Sequence, residues 1–137
     1  AGFLSEAGRV ELDDVAFECG NEFGQLWVIS LDGEPIATSR KLLVQAMSDE
    51  RPCGFRTEGD RITALGGWPF GVARMDARLT LSLSGGETLQ VIDLDENGYA
   101  AGQSRTIGAE KGKLTVDLAP TAVYTILKRG PETEAGP

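Results

Sequence analysis

The chain contains no histidine, and this absence removes several kinds of chemistry. Histidine relays protons in Ser-His-Asp triads and is the commonest metal-binding side chain in proteins. The sequence therefore excludes histidine-based triads, histidine-liganded metal sites and histidine proton shuttles. The serines also lack a Gly-x-Ser-x-Gly elbow, which is the local signature of an activated serine nucleophile.

Basic residues are few beside acidic ones. Thirteen Lys and Arg stand against 21 Asp and Glu, which gives a net charge of −8, and no Lys/Arg-rich run offsets it. Proteins that bind a phosphate backbone need the opposite balance, so we expect no nucleic-acid partner. Apolar runs are also short. None approaches the about 18 residues of a membrane-spanning helix, so we expect no membrane partner.

Cysteine is the third scarce residue type. Cys19 and Cys53 fit no metal-ligand spacing, and they allow either one disulfide or two free buried thiols. The first residues of the chain lack the basic start and apolar centre of a signal peptide. The chain is therefore either cytosolic or a processed or excised piece of a longer protein.

Glycine, by contrast, is abundant. Eighteen glycines among 137 residues indicate many turns, and this length suits one domain. We predict a single β-sandwich domain over residues 1–129, and a disordered tail over residues 130–137 that is rich in acids and turn formers. A (β/α)₈ barrel is excluded because it needs about 250 residues.

Short apolar alternations separated by turn residues recur along the chain. Residues 78–83 form the cleanest run, with Leu79, Leu81 and Leu83 on one side, and Ser84-Gly85-Gly86 turns the chain after them. Other strands are predicted over residues 8–13, 15–19, 61–65, 72–76, 88–95, 99–106, 113–118 and 122–128. Roughly nine to ten short strands without a convincing helix describe an all-β, antiparallel β-sandwich, Ig-like or jelly-roll-like.

The segment from residue 25 to residue 47 has the strongest strand signals. Residues 25–31 are nearly all apolar, which predicts a central strand with Trp27 in the core. Asp32-Gly33 predicts a hairpin turn, after which residues 35–39 run back beside that strand. The next segment, Lys41–Met47, fits either a helix or a strand, and the lack of a preceding cap favours a strand.

A partial calcium motif lies between residues 93 and 98. Asp93, Asp95 and Asn97 supply oxygen ligands at alternate positions, and Gly98 permits the sharp bend of a calcium loop. The twelfth position is Ser104, where the motif requires a bidentate glutamate. A hairpin turn at Asn97-Gly98, flanked by solvated acids, is the simpler interpretation. Apart from this weak calcium site we expect no cofactor.

The loop Trp68-Pro69-Phe70, framed by glycines, is the most suggestive surface feature in the sequence. Exposed aromatic side chains are the usual anchors of interfaces. Three interpretations of Trp68 and Phe70 remain open. They cap one end of the sandwich core, they plug into a partner protein, or they form a platform on which a sugar ring stacks.

Three stretches of the chain match sequence patterns of strands and turns that are known from one group of β-sandwich domains. They are residues 3–13 (FLSEAGRVELD), 27–45 (WVISLDGEPIATSRKLLVQ) and 114–127 (LTVDLAPTAVYTIL). Together they resemble the β-sandwich modules found C-terminal to the catalytic barrel in bacterial glycoside hydrolases. Those modules typically open on S-D-T-G-x-[LV]-x-W-D, and here Leu12 replaces the tryptophan.

The resemblance implies a role but no catalytic residue. In such enzymes the acid/base and the nucleophile lie on the barrel, and the module packs against it. The resemblance thus implies a non-catalytic accessory domain of a secreted or periplasmic carbohydrate-active enzyme, whose partner is a catalytic domain or another protein. The alternative is a carbohydrate-binding module, with a polysaccharide as its ligand, exposed aromatics as its contacts and a structural calcium.

Overall fold

The computed structural model describes residues 1–84 and 88–130. Over these ranges the chain forms fourteen strands and one four-residue helix. In chain order they are β1 (Gly2–Phe3), α1 (Leu4–Ala7), β2 (Arg9–Glu11), β3 (Val15–Cys19), β4 (Phe23–Ser30), β5 (Lys41–Met47), β6 (Glu50–Cys53), β7 (Arg56–Glu58), β8 (Arg61–Ala64), β9 (Gly67–Val72), β10 (Ala77–Ser82), β11 (Thr88–Asp93), β12 (Arg105–Gly108), β13 (Lys113–Asp117) and β14 (Tyr124–Arg129).

The strands form two facing antiparallel sheets. The six-stranded sheet has the order β1-β4-β5-β14-β11-β12, and the four-stranded sheet has the order β13-β10-β3-β2. This arrangement confirms the prediction of an all-β antiparallel sandwich, although the strands outnumber the nine or ten expected. Much of the excess comes from the region between residues 50 and 72, which forms four short strands instead of the one expected.

The core lies between the two sheets and follows the period-two alternation. Leu79 and Leu81 of β10 are fully buried, as the sequence predicts, and they face Leu42, Val44 and other residues of the six-stranded sheet within one apolar cluster. Burying a leucine side chain of this kind contributes about 1.5–3 kcal/mol. The remaining members of the cluster come from the other long strands: Val15, Phe17, Leu89, Val91, Leu114, Val116 and Leu127.

The prediction that residues 35–39 form a strand is wrong. The carbonyl oxygen of Pro35 accepts hydrogen bonds from the backbone N–H groups of Thr38 (3.0 Å) and Ser39 (2.8 Å), which closes a turn. The strand that runs back beside β4 is β5, so the link between them is a loop of ten residues instead of a tight hairpin at Asp32. The choice of strand over helix for Lys41–Met47 is confirmed.

Two further predicted strands, residues 72–76 and 99–106, are wrong over most of their length, since only residue 72 and residues 105–106 lie in strands. After β9 ends at Val72, the side chain of Asn21 accepts from the N–H of Asp76 (2.7 Å) and donates to the carbonyl of Arg74 (2.8 Å). These two backbone groups are therefore not available for pairing with a neighbouring strand. Similarly, the N–H of Tyr99 is bound by the Asp95 carboxylate at 2.9 Å, and β12 begins only at Arg105.

Residues 50–72 form a hairpin that we call the arm. Its base is the β6–β9 pair and its outer part is the β7–β8 pair. The two parts meet where Gly66 has a φ of +70°, and a Cβ there would lie 2.5 Å from the carbonyl oxygen of Cys53, so only glycine fits. None of the arm's residues is fully buried.

Cys19 and Cys53 are both free thiols, which excludes the disulfide, but only Cys19 is buried, so the expectation of buried thiols is wrong for the exposed Cys53. Among residues 1–84 and 88–130, no helix is long and apolar enough to cross a membrane. The turn predicted at Gly85-Gly86 and nearly all of the tail predicted at residues 130–137 lie outside the described residues.

Candidate functional site

Trp27 lies on the outside of the six-stranded sheet, so the prediction that it is a core residue is wrong. Along β4 the side chains of Leu26 and Val28 pair with the buried Ala46 and Val44 of β5 and face the core. Their neighbours alternate to the other face, and Trp27 is 52% exposed. Residues 25–31 are apolar at both odd and even positions. The sequence therefore does not indicate whether the odd-numbered or the even-numbered side chains face the core.

An apolar surface crosses four strands of this sheet on the side away from the core. One cross-strand row contains Trp27, Gln45 and Tyr124. The next row consists of four aliphatic residues in register on β4, β5, β14 and β11: Ile29, Leu43, Ile126 and Ile92. We call these seven residues the outer face. The sequence predictions missed it.

Two lysines border the outer face. Lys41 and Lys128 are directly opposite each other on β5 and β14, in the row that follows the aliphatic one, and both are exposed. Like charges opposite each other in a sheet destabilise it. A pair of adjacent cations on a protein of net charge −8 therefore favours contact with a surface that supplies carboxylates.

The arm carries Trp68 and Phe70, the two aromatic residues singled out in the sequence. They lie on β9, and Trp68 is 87% exposed while Phe70 is 55% exposed, so the interpretation that they cap the core is wrong. In the β6–β9 pair, Pro52 is opposite Phe70, but the next residue, Cys53, is opposite Gly67. This register shift leaves Trp68 without a paired residue on β6. The interface and sugar-platform interpretations are compatible with this exposure.

Charge also separates the arm from the rest of the chain. Its 23 residues contain three acids and three arginines, so the net charge of −8 belongs entirely to the remaining residues. The exposed large apolar side chains of the arm are Ile62, Leu65, Trp68, Phe70 and Val72. The arm therefore combines zero net charge with exposed apolar side chains on an otherwise acidic chain, a combination suited to contact with another molecule.

A groove of about 780 Å³ lies where the arm meets the sandwich. Its walls include Phe3 and Phe23, whose rings meet edge to face at a centroid distance of 6.0 Å, and Arg51 and Cys53 of the arm. The Arg51 guanidinium lies 5.5 Å from the ring centre of Phe55, within the range of a cation–π contact. The groove also contains Glu22 and Asp49, and Asp49 pairs with Arg51 at 3.3 Å, so its walls combine apolar side chains with charges of both signs.

The acids of the partial calcium motif are engaged in hydrogen bonds within the fold. Asp95 Oδ1 accepts from the N–H groups of Asn97 and Tyr99, both at 2.9 Å, and the Gly98 N–H bonds to the Asp95 carbonyl. Asp93 Oδ1 accepts from the Thr125 hydroxyl at 2.8 Å. Among the described residues, no three Cys, Asp or Glu side chains lie close enough together to hold a metal ion.

Asp32 anchors the loop between β4 and β5, a role that the sequence predictions missed. Its carboxylate accepts hydrogen bonds from the Ser30 hydroxyl (2.8 Å), the Ser39 hydroxyl (2.8 Å) and the Arg40 backbone N–H (2.7 Å). These donors hold the pKa of Asp32 well below its usual range, the Ser30 bond having the largest effect. A carboxyl group that stays ionised in this way is a structural acceptor and not a proton donor at neutral pH.

No protein-family model, no curated protein and no solved structure matches this chain. Among the described residues, the two most prominent exposed apolar surfaces are the outer face and the arm. Both are built from side chains that bind by contact area, because aromatic and aliphatic groups gain by leaving water.

Proposed function

We propose that this chain is a non-catalytic β-sandwich accessory domain of a glycoside hydrolase, and that it packs against the catalytic domain through the outer face. The observation that carries the proposal is the aliphatic row crossing β4, β5, β14 and β11 on the side away from the core, next to the row that holds Trp27 and Tyr124. A soluble domain rarely leaves so continuous an apolar area in water unless something binds it.

The chemistry of the outer face restricts the surface that fits it. Trp27 and Tyr124 provide rings with polar edges, Ile29 and Ile126 provide flat aliphatic contact, and Lys41 and Lys128 add two positive charges along one border. The matching surface is apolar at its centre and carries carboxylates opposite the lysines. The sugar chemistry belongs to the catalytic domain, and the enzyme is secreted or periplasmic in this proposal.

The first part of the test concerns the parent gene. We expect the reading frame that encodes this chain to encode a barrel-length catalytic segment as well. The two segments are then expressed separately and titrated against each other by calorimetry. A reading frame with no such segment, or two segments that do not bind, would contradict the proposal.

Point substitutions locate the contact. We expect Ile126→Glu and Lys128→Glu to weaken binding about tenfold or more each, because the first places a carboxylate in the apolar row and the second reverses a border charge. Leu12→Glu is the matched control, since Leu12 is also exposed but lies outside the six-stranded sheet. Equal losses for all three variants would remove the outer face as the contact surface.

A carbohydrate-binding module is the second candidate, favoured by the 87% exposure of Trp68 on the neutral arm. Affinity electrophoresis through gels containing different polysaccharides tests it. If a polysaccharide retards the chain and Trp68→Ala or Phe70→Ala abolishes the retardation, the result would support sugar stacking on the arm. If the chain migrates without retardation in every gel, this candidate function is removed. Leu65→Ala, a change at another exposed apolar residue of the arm, is the control.

A further inference from the structure

One edge of the six-stranded sheet is open over most of its length. β1 pairs with β4 only at Phe23 and Gly24, and β4 then continues to Ser30. Beyond Gly24, the strand order and the backbone hydrogen bonds place no described segment beside β4 on the side away from β5. Residues 25–30 therefore form an exposed edge strand.

The ladder with β5 shows which backbone groups point to the open edge. The Leu31 N–H donates to the Lys41 carbonyl at 2.9 Å, and since hydrogen-bonded pairs alternate in antiparallel ladders, the odd-numbered residues of β4 bond to β5. On the other side, the carbonyl of the even-numbered Glu22 accepts from the Leu4 N–H. The N–H and C=O groups of Leu26, Val28 and Ser30 accordingly face the open edge.

This edge lacks the features that normally prevent strands from adding to a sheet. Proteins protect their edges with charged side chains, prolines or bulges. Residues 25–30 read QLWVIS, with no charge and no proline, and their pairing with β5 shows no register shift. Trp27 and Ile29 are partly exposed beside the edge. The edge is therefore suited to pair with another strand.

We propose that β4 pairs with β4 of a second copy of this chain, antiparallel, about a two-fold axis at Val28. In that register Val28 is opposite Val28 of the second copy, and Leu26 is opposite Ser30 in both directions. All three residues whose backbone groups face the edge then lie in hydrogen-bonded pairs. The paired stretch fits between β1, which ends its pairing at Gly24, and the loop that Asp32 anchors.

The same register also matches the side chains, which is why a second copy is the occupant that we favour. A two-fold axis perpendicular to the sheet keeps the two outer faces on one side. Trp27 of each copy then lies opposite Ile29 of the other in a non-hydrogen-bonded pair, where side chains approach most closely. No charged residue lies in the paired stretch, so the seam contains no like-charge pair.

The net charge of −8 on each copy opposes association over longer distances. Salt screens that repulsion, and the screening length falls from about 10 Å at 0.1 M to about 3 Å at 1 M. The bonds across the seam are backbone hydrogen bonds and apolar contacts, which salt leaves intact. We therefore expect the dimer to become tighter as salt increases.

The first experiment measures the dimer by sedimentation equilibrium over a range of concentrations up to about 1 mM, in low and high salt. Val28→Pro removes the N–H at the two-fold axis without touching the ladder to β5, because proline is tolerated where an edge N–H faces outward. We expect it to raise the dimer dissociation constant about tenfold or more. Circular dichroism checks that the variant is folded.

A second experiment tests the register and does not depend on proline. Trp27→Glu and Ile29→Lys should each weaken self-association, because each introduces a charge opposite an apolar side chain in both halves of the seam. Mixed in equal amounts, the two variants should form a heterodimer in which the new carboxylate faces the new ammonium group. We expect about tenfold tighter association in the mixture than in either variant alone.

Several results would overturn the proposal. They are a wild-type chain that stays monomeric at every concentration and salt level, a dimer that folded Val28→Pro does not weaken, and a variant mixture that associates no better than its components. A monomer that instead binds an extended strand of another protein at this edge would also refute self-pairing. Ile126→Glu lies two strands away from the edge and should leave the dimer unchanged, so failure of the catalytic-domain proposal is distinguishable.

Discussion

Trp27 and Tyr124 lie in one cross-strand row of the outer face, on either side of Gln45. Adjacent strands are about 4.8 Å apart, so the two backbones that carry these rings are separated by roughly 10 Å. Neither ring contributes to the core, because the residues that alternate with them, such as Val28 and Thr125, face inward. Their contribution to the stability of the fold should therefore be small.

The unfolding free energy should therefore depend little on Trp27. We expect Trp27→Ala to change it by about 1 kcal/mol or less, since the side chain is half exposed and loses mainly cross-strand contact. Leu79→Ala, at a fully buried position, should cost about 2–5 kcal/mol. Urea denaturation of the two variants gives both values. A loss at Trp27 as large as that at Leu79 would show that Trp27 is a packing residue.

Stability at acid pH should depend on Asp32. Its pKa is lowered by the Ser30 and Ser39 hydroxyls and the Arg40 N–H, so the folded chain binds this proton less readily than the unfolded chain. The resulting stabilisation is fully present above the ordinary aspartate pKa of about 4 and is lost as the pH falls below it. We expect Asp32→Asn to flatten the decline in melting temperature between about pH 5 and pH 2.

Asp14→Asn is the control for this measurement, because its carboxylate has no hydrogen bond to any of residues 1–84 or 88–130. It should leave the slope of melting temperature against pH unchanged. If Asp32→Asn and Asp14→Asn gave the same slope as the wild-type chain, the Asp32 hydrogen bonds would have no measurable part in stability.

The outer part of the arm should be dispensable for folding. Gly54 and Gly66 lie side by side where the two parts of the arm meet, so residues 55–65 can be replaced by a short glycine–serine turn. None of the deleted residues is fully buried, so we expect the unfolding free energy to change by about 0.5 kcal/mol or less. Thermal unfolding measures this. A large destabilisation would mean that the arm supports the sandwich.

The sequence predicts a strand well where only one of its faces is apolar. In residues 78–83 the alternation of leucine with polar residues identifies both the strand and its buried face. In β4 and at Val91–Ile92, apolar residues occur on both faces of the strand. A central strand buried on both faces has this pattern, but so does a strand with one face in the core and the other in the outer face. The strand was therefore predictable, but the side on which Trp27 lies was not.

Loops were harder to predict because their partners are distant in sequence. Asn21 holds the segment before Asp76 through bonds that span more than fifty residues, and no local pattern signals this. The arm posed the opposite difficulty. Its glycines and prolines indicate a loop, yet Pro52 and Pro69 are compatible with strands whose outer edges need no N–H group.

The two cysteines should differ sharply in reactivity. Cys53 is exposed on the arm, whereas Cys19 is buried against the core. We expect one thiol per chain to react with a thiol-specific reagent under native conditions and two in denaturant. Cys53→Ser should abolish the native reaction, and Cys19→Ser should leave it unchanged. A native reaction that survives Cys53→Ser would show that the strand around Cys19 opens.

Calcium should leave the melting temperature unchanged. In the turn after β11, Asp95 Oδ1 already holds two backbone N–H groups and Asp93 Oδ1 holds the buried Thr125 hydroxyl, while Ser104 bonds to Gln90 where a calcium loop would have its glutamate. Asp95→Ala should then destabilise the chain by about 1–2 kcal/mol, equally with calcium and with a chelator, because the lost bonds are internal. A rise in melting temperature on adding calcium, abolished by Asp93→Asn, would place an ion here and overturn this interpretation.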